Sequence, residues 1–299
     1  MVRSSAGAQN SDPLVTRPVP ADWLEQRRRA DHRARELASP LIEELTTRLR
    51  ELSGEASGSS AAGAPVHVID VGAGTGSNQA WLAPRLALPQ RWTLLDHDSA
   101  LLEIATTAPA ETEVVETTRV LGTVEDLPRL TTGEDALLVT CSALLDLLTL
   151  AEAEILADAI AGAAAGTRVT ALLSLSVTGE VQIEPGHPSD ALIAEAFDAH
   201  QRREALLGPD AVNIVVELLR QRGAQVRVAE TNWTLDGSDA ALIKRYLSDR
   251  AAVAVEADPL LAETAADWLR VRTQQLDSAG LQVTVGHIDL LSLPPAHPR

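Results

Sequence analysis

The chain has 299 residues and carries 42 acidic against 25 basic side chains, a formal net charge of −17. A surface this acidic opposes a polyanion, whose binding relies on Lys and Arg to neutralise phosphates; residues 101–160 alone hold 12 acids against 2 arginines. No apolar run approaches the roughly 20 residues that span a bilayer, and residues 1–12 lack a signal peptide's apolar stretch, so the expectation is a cytoplasmic protein without nucleic-acid or membrane partners.

Residues 1–17, rich in Ser, Ala, Gly and Pro, read as a disordered tail. Residues 18–53 turn helical, with Leu37, Leu41, Leu45, Leu49 and Leu52 forming one stripe at spacings of three and four. Ser39-Pro40 divides this stretch into two helices. Arg28, Asp31 and Arg35 share a second face, either a solvated one or a contact to a ligand. Residues 54–65 read as a flexible linker, so removal of residues 1–52 is expected to leave the remainder folded.

From residue 66 strands and helices alternate. Strands are expected near 66–71, 91–96, 115–121, 136–141 and 168–176, and the alternation predicts a doubly wound, mostly parallel sheet covered on both faces. The most informative stretch is Val68-Ile69-Asp70-Val71-Gly72-Ala73-Gly74-Thr75-Gly76. Here a strand ends on a carboxylate and a glycine-rich turn opens a helix, whose free N–H groups face the turn. Dinucleotide enzymes space this turn Gly-x-Gly-x-x-Gly; Ser77 stands where their third glycine belongs. An acid two residues before the first glycine suits a cationic ligand better than a pyrophosphate, which favours S-adenosylmethionine over NAD. Asp96 follows Gly76 by 20 residues at the tip of the second strand, placed to accept ribose hydroxyls. Asp98 or Ser99 caps the next helix.

Beyond the fifth strand, segment 177–211 emerges on the ligand side of an open sheet and includes a helix over 190–203. Strands near 225–233 and 281–288 complete the sheet, with two helices inserted over 238–278. His97, His187 and His200 fall in or beside ligand-side positions, and histidine can take a proton near neutral pH. Trp268 to Arg272 and Tyr246 are either a second lid or helix packing. Cys141, the single cysteine, reads as a buried strand residue, and no cluster of His and acids has metal-ligand spacing.

Residues 66–148 resemble the core of a class I S-adenosylmethionine-dependent methyltransferase. Val68 to Gly76 matches the first motif and Leu94-Leu95-Asp96-His97-Asp98 the second. Gly122 to Pro128 and Leu137 to Asp146 match the third and fourth segments more loosely. The resemblance implies a Rossmann-like sheet whose final strand is antiparallel, and S-adenosyl-L-methionine as cofactor. It implies that Asp70, Gly72, Gly74 and Gly76 hold the methionine end and Asp96 the ribose, with His97 and Ser142 nearby. Thr123 stands where family members often carry an acid for the adenine, so that contact passes to Val124, Glu125 or Asp126. The N-terminal helices would form a lid bringing Trp23 and Arg28 to cofactor or substrate; Gln201 and Arg202 are further substrate contacts, and His187, His200 or Asp146 a base. The expected activity is methyl transfer to a small molecule. An aminopropyl transferase of the same fold, a nicotinamide oxidoreductase and a non-catalytic cofactor-binding scaffold are the alternatives, and a homodimer stays open.

Overall fold

The computed structural model describes residues 19–57, 64–106, 112–132, 136–162, 169–278 and 280–294. The expected tail, 1–17, and residues 58–63 of the expected linker lie outside the described residues. Among the described residues no helix is long and apolar enough to cross a membrane.

One eight-stranded sheet organises the chain. Its strands are β1 (Val66–Val71), β2 (Gln90–Asp96), β3 (Val114–Leu121), β4 (Leu137–Ser142), β5 (Val169–Glu184), β6 (Gln225–Glu230), β7 (Trp233–Leu235) and β8 (Gln282–Leu293). Their order is β3-β2-β1-β4-β5-β8-β6, with β7 paired to β8. The first five strands are parallel, and β8 runs antiparallel to β5, β6 and β7. This is the doubly wound, Rossmann-like arrangement that the alternation predicts. The central strands are buried on both faces, which is why β1 and β4 carry apolar residues at consecutive positions, Val68-Ile69 and Leu137-Leu138-Val139, rather than only at alternate ones.

The helices form two layers. On one face α2 (Ser39–Ser57) and α3 (Ser77–Leu86) pack against the sheet, and Leu45, Leu49 and Leu82 meet Val68, Leu172 and Leu291. On the other, α6 (Leu150–Ala161) and α8 (Ala211–Gln221) set Leu156, Val215 and Leu219 against Ile69, Val139 and Leu173. Four members of the leucine stripe are buried as expected. Leu37 is not: it falls in the 3-10 turn Glu36–Ala38 that separates α1 (Ala21–Arg35) from α2, and is 61% exposed. Helix α2 also continues to Ser57, into the expected linker.

The fifth strand departs from expectation. Where the strand was expected to end near residue 176, β5 continues to Glu184, well past its pairing with β4, which ends at Ser142 and Ser174. Its second half pairs with the first half of β8, and β7 pairs with β8 on the other side. This ribbon carries α7 (Asp190–Gln201), α9 (Ala240–Ala257) and α10 (Ala262–Asp277). With α1 they share a third apolar cluster containing Trp233, Leu242, Leu247, Trp268 and Val283. Trp268 is buried and donates to Asp190, to which Arg272 also bonds, so this part of the insertion packs rather than covers a site.

Arg35 joins the layers. Its side chain is 1% exposed, donates to Ser174 Oγ at 3.2 Å and lies 3.9 Å from the centroid of the Trp81 ring. Asp289 on β8, also fully buried, lies 4.0 Å away and accepts from Leu175 N and Thr231 Oγ1, each at 2.8 Å. Leu175 sits at a register shift in β5 with φ of 53°, a conformation unfavourable for a branched side chain. The hydrogen bond that its backbone N–H donates to Asp289 Oδ1 holds it there.

Loss of one member of a buried ion pair strands the other charge, at a cost of about 3–5 kcal/mol. Arg35→Met should show a loss of that size in urea unfolding, and Asp289→Asn in the same chain should restore part of it. Equal stability of Arg35→Met and wild type would show that the pair carries no weight. The packing of α2 also reverses the expectation for truncation. A chain lacking residues 1–52 exposes Val68, Leu172 and Leu291 and strands Asp289, and should fail to give a cooperative unfolding transition.

Candidate functional site

The glycine turn is built for close approach. Gly72, Gly74 and Gly76 adopt φ of 66°, 52° and 79°, which strain any other residue. A Cβ on Gly72 would lie 3.0 Å from Leu144 Cδ1, and one on Gly76 only 2.4 Å from the carbonyl oxygen of Thr106. Gly76 is also the residue from which α3 starts. Arg28 braces the outside of the turn: Nη2 donates to Thr75 Oγ1 at 3.3 Å.

Two carboxylates flank the turn in different roles. Asp96 lines a cavity and binds the turn, Oδ2 accepting from Gly74 N at 2.7 Å and Oδ1 from Asp98 N at 2.9 Å. Asp98 caps α4 (Ser99–Ile104), accepting from the amides of Ala100 and Leu101. Asp70 lies beneath, fully buried and outside the cavity wall; Oδ1 accepts from Asn78 Nδ2 at 2.6 Å and Oδ2 has no partner. Burial pushes its carboxyl up to about 7, against the opposing effects of the Asn78 bond and Arg35; Asp96 adds to the rise.

The cavity measures about 380 Å³, within the size range of small-molecule sites. It begins at Gly72, Gly74, Asp96, His97 and Leu101, passes Ser142 and Ala143, and opens into a chamber between the sheet and the α1, α7 and α9 helices. Ala143, at φ of 55°, is held by the hydrogen bond that its backbone N–H donates to Ser174 O. Trp23, Phe197, Trp233 and Tyr246 line the chamber, four of only seven aromatics in the chain. Arg27, tied to Asp31 at 2.8 Å, stands near the Trp233 ring, whose Nε1 donates to the same Asp31 at 3.0 Å.

Two groups in the wall suit proton transfer. Asp146 follows β4, and burial raises its carboxyl above the ordinary range while Arg27 opposes the rise. His287, on β8, is lowered to about 4 by burial and is therefore neutral at physiological pH. Its Nδ1 lies 3.0 Å from Val285 O. A carbonyl oxygen only accepts, so Nδ1 carries the proton and Nε2 is left as an acceptor.

Of the residues singled out in the sequence, the structure brings Gly72, Gly74, Asp96, His97, Ser142, Asp146, Trp23, Gln201 and Tyr246 to one cavity. Others lie outside its wall. Asp126 closes a capping box with Thr123 and pairs with Arg129, and neighbouring Glu125 donates its amide to Thr123 Oγ1. His187 accepts from Ser189 N in the turn before α7, carried there by the extended β5. His200 bonds Glu256 and contacts Arg203, and exposed Arg202 pairs with Asp210 at 2.7 Å. Sequence reasoning missed Arg27, Phe197, Asp198, Trp233, Arg250 and His287; the scarcity of aromatics was the signal available for two of them. Cys141 is buried on β4, and burial pushes its thiol up, as expected of an inert strand residue.

Asp70 generates a pH prediction. The folded chain keeps this proton to about pH 7, whereas the unfolded chain releases it near 3.8, so the folded form binds more protons in between. Stability therefore falls as pH rises through that window, by roughly 4 kcal/mol in total. Asp70→Asn should remove this component, so its stability advantage over wild type should grow between pH 4 and pH 8. Parallel stability–pH curves would show Asp70 ionised throughout.

No family model matches the chain, and no curated protein does. Solved structures do resemble it. One is the mycolic acid cyclopropane synthase CmaA1 complexed with SAH and CTAB, 13% identical, covering 80% of this chain and 83% of that one at a TM-score of 0.40. Another is the YcgJ protein from Bacillus subtilis, 13% identical, covering 84% of this chain and 99% of that one at 0.44. A third is a SAM-dependent methyltransferase from Thiobacillus denitrificans in complex with S-adenosyl-L-homocysteine, 14% identical, covering 85% and 91% at 0.38. At such identities and scores, ligand and chemistry rest on this chain's own residues.

Proposed function

We propose that the chain binds S-adenosyl-L-methionine at the glycine turn and catalyses methyl transfer to a small molecule held in the aromatic chamber. The observation that carries this reading is the continuity of one cavity from Gly72, Gly74 and Asp96 to the chamber lined by Trp23, Phe197, Trp233 and Tyr246. A donor at the first end and an acceptor at the second would meet near Ser142 and Asp146. When bound, the cofactor supplies a methyl group activated by a sulfonium centre, which a nucleophile displaces in line.

The residues fit that ligand. Side chains at Gly72 and Gly74 would be strained, and their absence leaves the turn's backbone open to close approach. Asp96 presents its carboxylate to the cavity while two amides hold it, an arrangement suited to ribose hydroxyls. Asp70, with a buried and unpartnered oxygen beneath the turn, would place negative potential under a cationic ligand when ionised, and such a ligand would in turn favour that ionisation. The spacing at Ser77 disfavours a nicotinamide dinucleotide.

The chain's own part in the reaction is positioning and proton handling. Confinement of the acceptor by the chamber walls converts an encounter into an oriented one, a large share of the rate gain in such displacements. Val19, Trp23 and Leu24 close one side of the cavity and keep water out. Asp146 or His287 Nε2 accepts a proton from a hydroxyl or amine acceptor.

Three measurements test this. Calorimetry should show S-adenosylhomocysteine binding and no comparable binding of NADH; the reverse order would overturn the reading. Asp96→Ala should weaken S-adenosylhomocysteine binding roughly 10- to 100-fold through lost charge-assisted hydrogen bonds. It should also cost some stability, because Asp96 holds Gly74 in place. Asp98→Ala is the control, costing about 1 kcal/mol of stability as a lost cap with little effect on affinity. Incubation with methyl-labelled cofactor and a metabolite extract should transfer label to a small product. Binding without any labelled product would favour a non-catalytic scaffold.

A further inference from the structure

Two occluded polar atoms in the chamber are left without partners by the chain itself. Arg250, on α9, is 3% exposed and lines the cavity. Its Nη1 donates to Tyr246 Oη at 3.0 Å and its guanidinium lies 4.3 Å from the Phe197 ring centroid, while Nη2 bonds nothing. Asp198, on α7, lines the same cavity, and its buried Oδ1 also bonds nothing. Burial raises the Asp198 carboxyl, and the positive charges of Arg250 and Arg202 oppose the rise. The two charges thus feel each other, yet these two atoms do not pair. An occluded donor and an occluded acceptor are each costly when unpaired. Because both residues line one cavity, a single ligand that supplies both complements can complete them.

The rest of the wall narrows the ligand's charge. Arg27 is already tied to Asp31, and Asp146, Asp198 and Glu180 outnumber Arg250 around the cavity. A bare carboxylate or phosphate would meet this excess of acids; a plain amine would leave Arg250 unpaired. A group bearing both charges satisfies each wall. A guanidinium's planar donors match a carboxylate, and aromatic rings provide flat contact area for the remainder.

We propose that the chamber recognises an aromatic α-amino acid or a close analogue, with its carboxylate on Arg250 Nη2, its ammonium on Asp198 Oδ1 and its ring against Trp23, Trp233 and Phe197. As the acceptor for methyl transfer this rests on the function proposed above; as a binding site it does not.

The test is calorimetry on the full chain saturated with S-adenosylhomocysteine. The probes are phenylalanine, tyrosine and tryptophan, their decarboxylated amines and their deaminated acids. At least one amino acid should bind, with its amine and its acid each weaker by tenfold or more. In Arg250→Met the amino acid should lose its advantage over the amine, and in Asp198→Asn its advantage over the deaminated acid. Both variants should keep the wild-type affinity for S-adenosylhomocysteine, which also reports that they fold. An amine or acid that binds wild type as tightly as its parent amino acid overturns the proposal, whatever the variants do. Binding of S-adenosylhomocysteine with no response to any probe overturns it too and leaves the proposed cofactor standing. Discrimination among the probes without S-adenosylhomocysteine binding supports the amino-acid site and overturns the proposed cofactor.

Discussion

The buried charge of Arg35 sets the terms for much of this structure. A guanidinium on the first helix lies over Trp81 and beside Asp289, which in turn holds the irregular backbone at Leu175 and the hydroxyl of Thr231. Desolvating two charges is expensive, so such a pair persists only where geometry and further hydrogen bonds compensate. Here that compensation is distributed over α1, β5, β8 and the connection before β7. The interaction therefore fixes where the first helix enters, where β5 shifts register, and how β8 threads between its neighbours.

That shift in β5 has consequences for the site. Past Leu175 the strand leaves the parallel sheet and pairs only with β8, so the ribbon stands beyond the carboxyl ends of the central strands. Ligands of open α/β sheets bind at those ends. The ribbon and its helices thus roof the place where the glycine turn already offers backbone to a ligand. Aromatics are scarce in this chain, and most of them are spent on that roof rather than in the sheet, where Leu, Val and Ile fill the space.

What was legible in the sequence was local. The turn at Gly72 to Gly76, the acid at Asp96 and the cap at Asp98 are read from spacing, because backbone conformation and capping act over a few residues. Parallel strands were legible from apolar runs for the same reason. The lower half of the cavity follows from these. The chamber does not, since its contacts join distant segments: Asp31 meets Trp233 across 202 residues, and Arg35 meets Ser174 across 139. Periodicity on α1 could show that Arg28, Asp31 and Arg35 share a face, but not that the face turns inward. Likewise nothing local distinguishes His187, left in a turn by the extension of β5, from His287, which enters the wall because β8 pairs with that same extension.

The position of β8 also governs the order in which the molecule can be assembled. It is translated after β5 and β6 yet lies between them, so neither can complete its hydrogen bonding while a ribosome is still delivering α9 and α10. Until then β5 presents an open edge, β6 has no partner, and the Asp289 carboxylate that Arg35 requires has not been made. Pairings between such distant segments are intrinsically slow to form, and open strand edges invite association with other chains. The nascent chain therefore carries these open edges from the completion of β5 until Gln282–Leu293 is made, and the ligand chamber can form only once β8 has been added to the sheet.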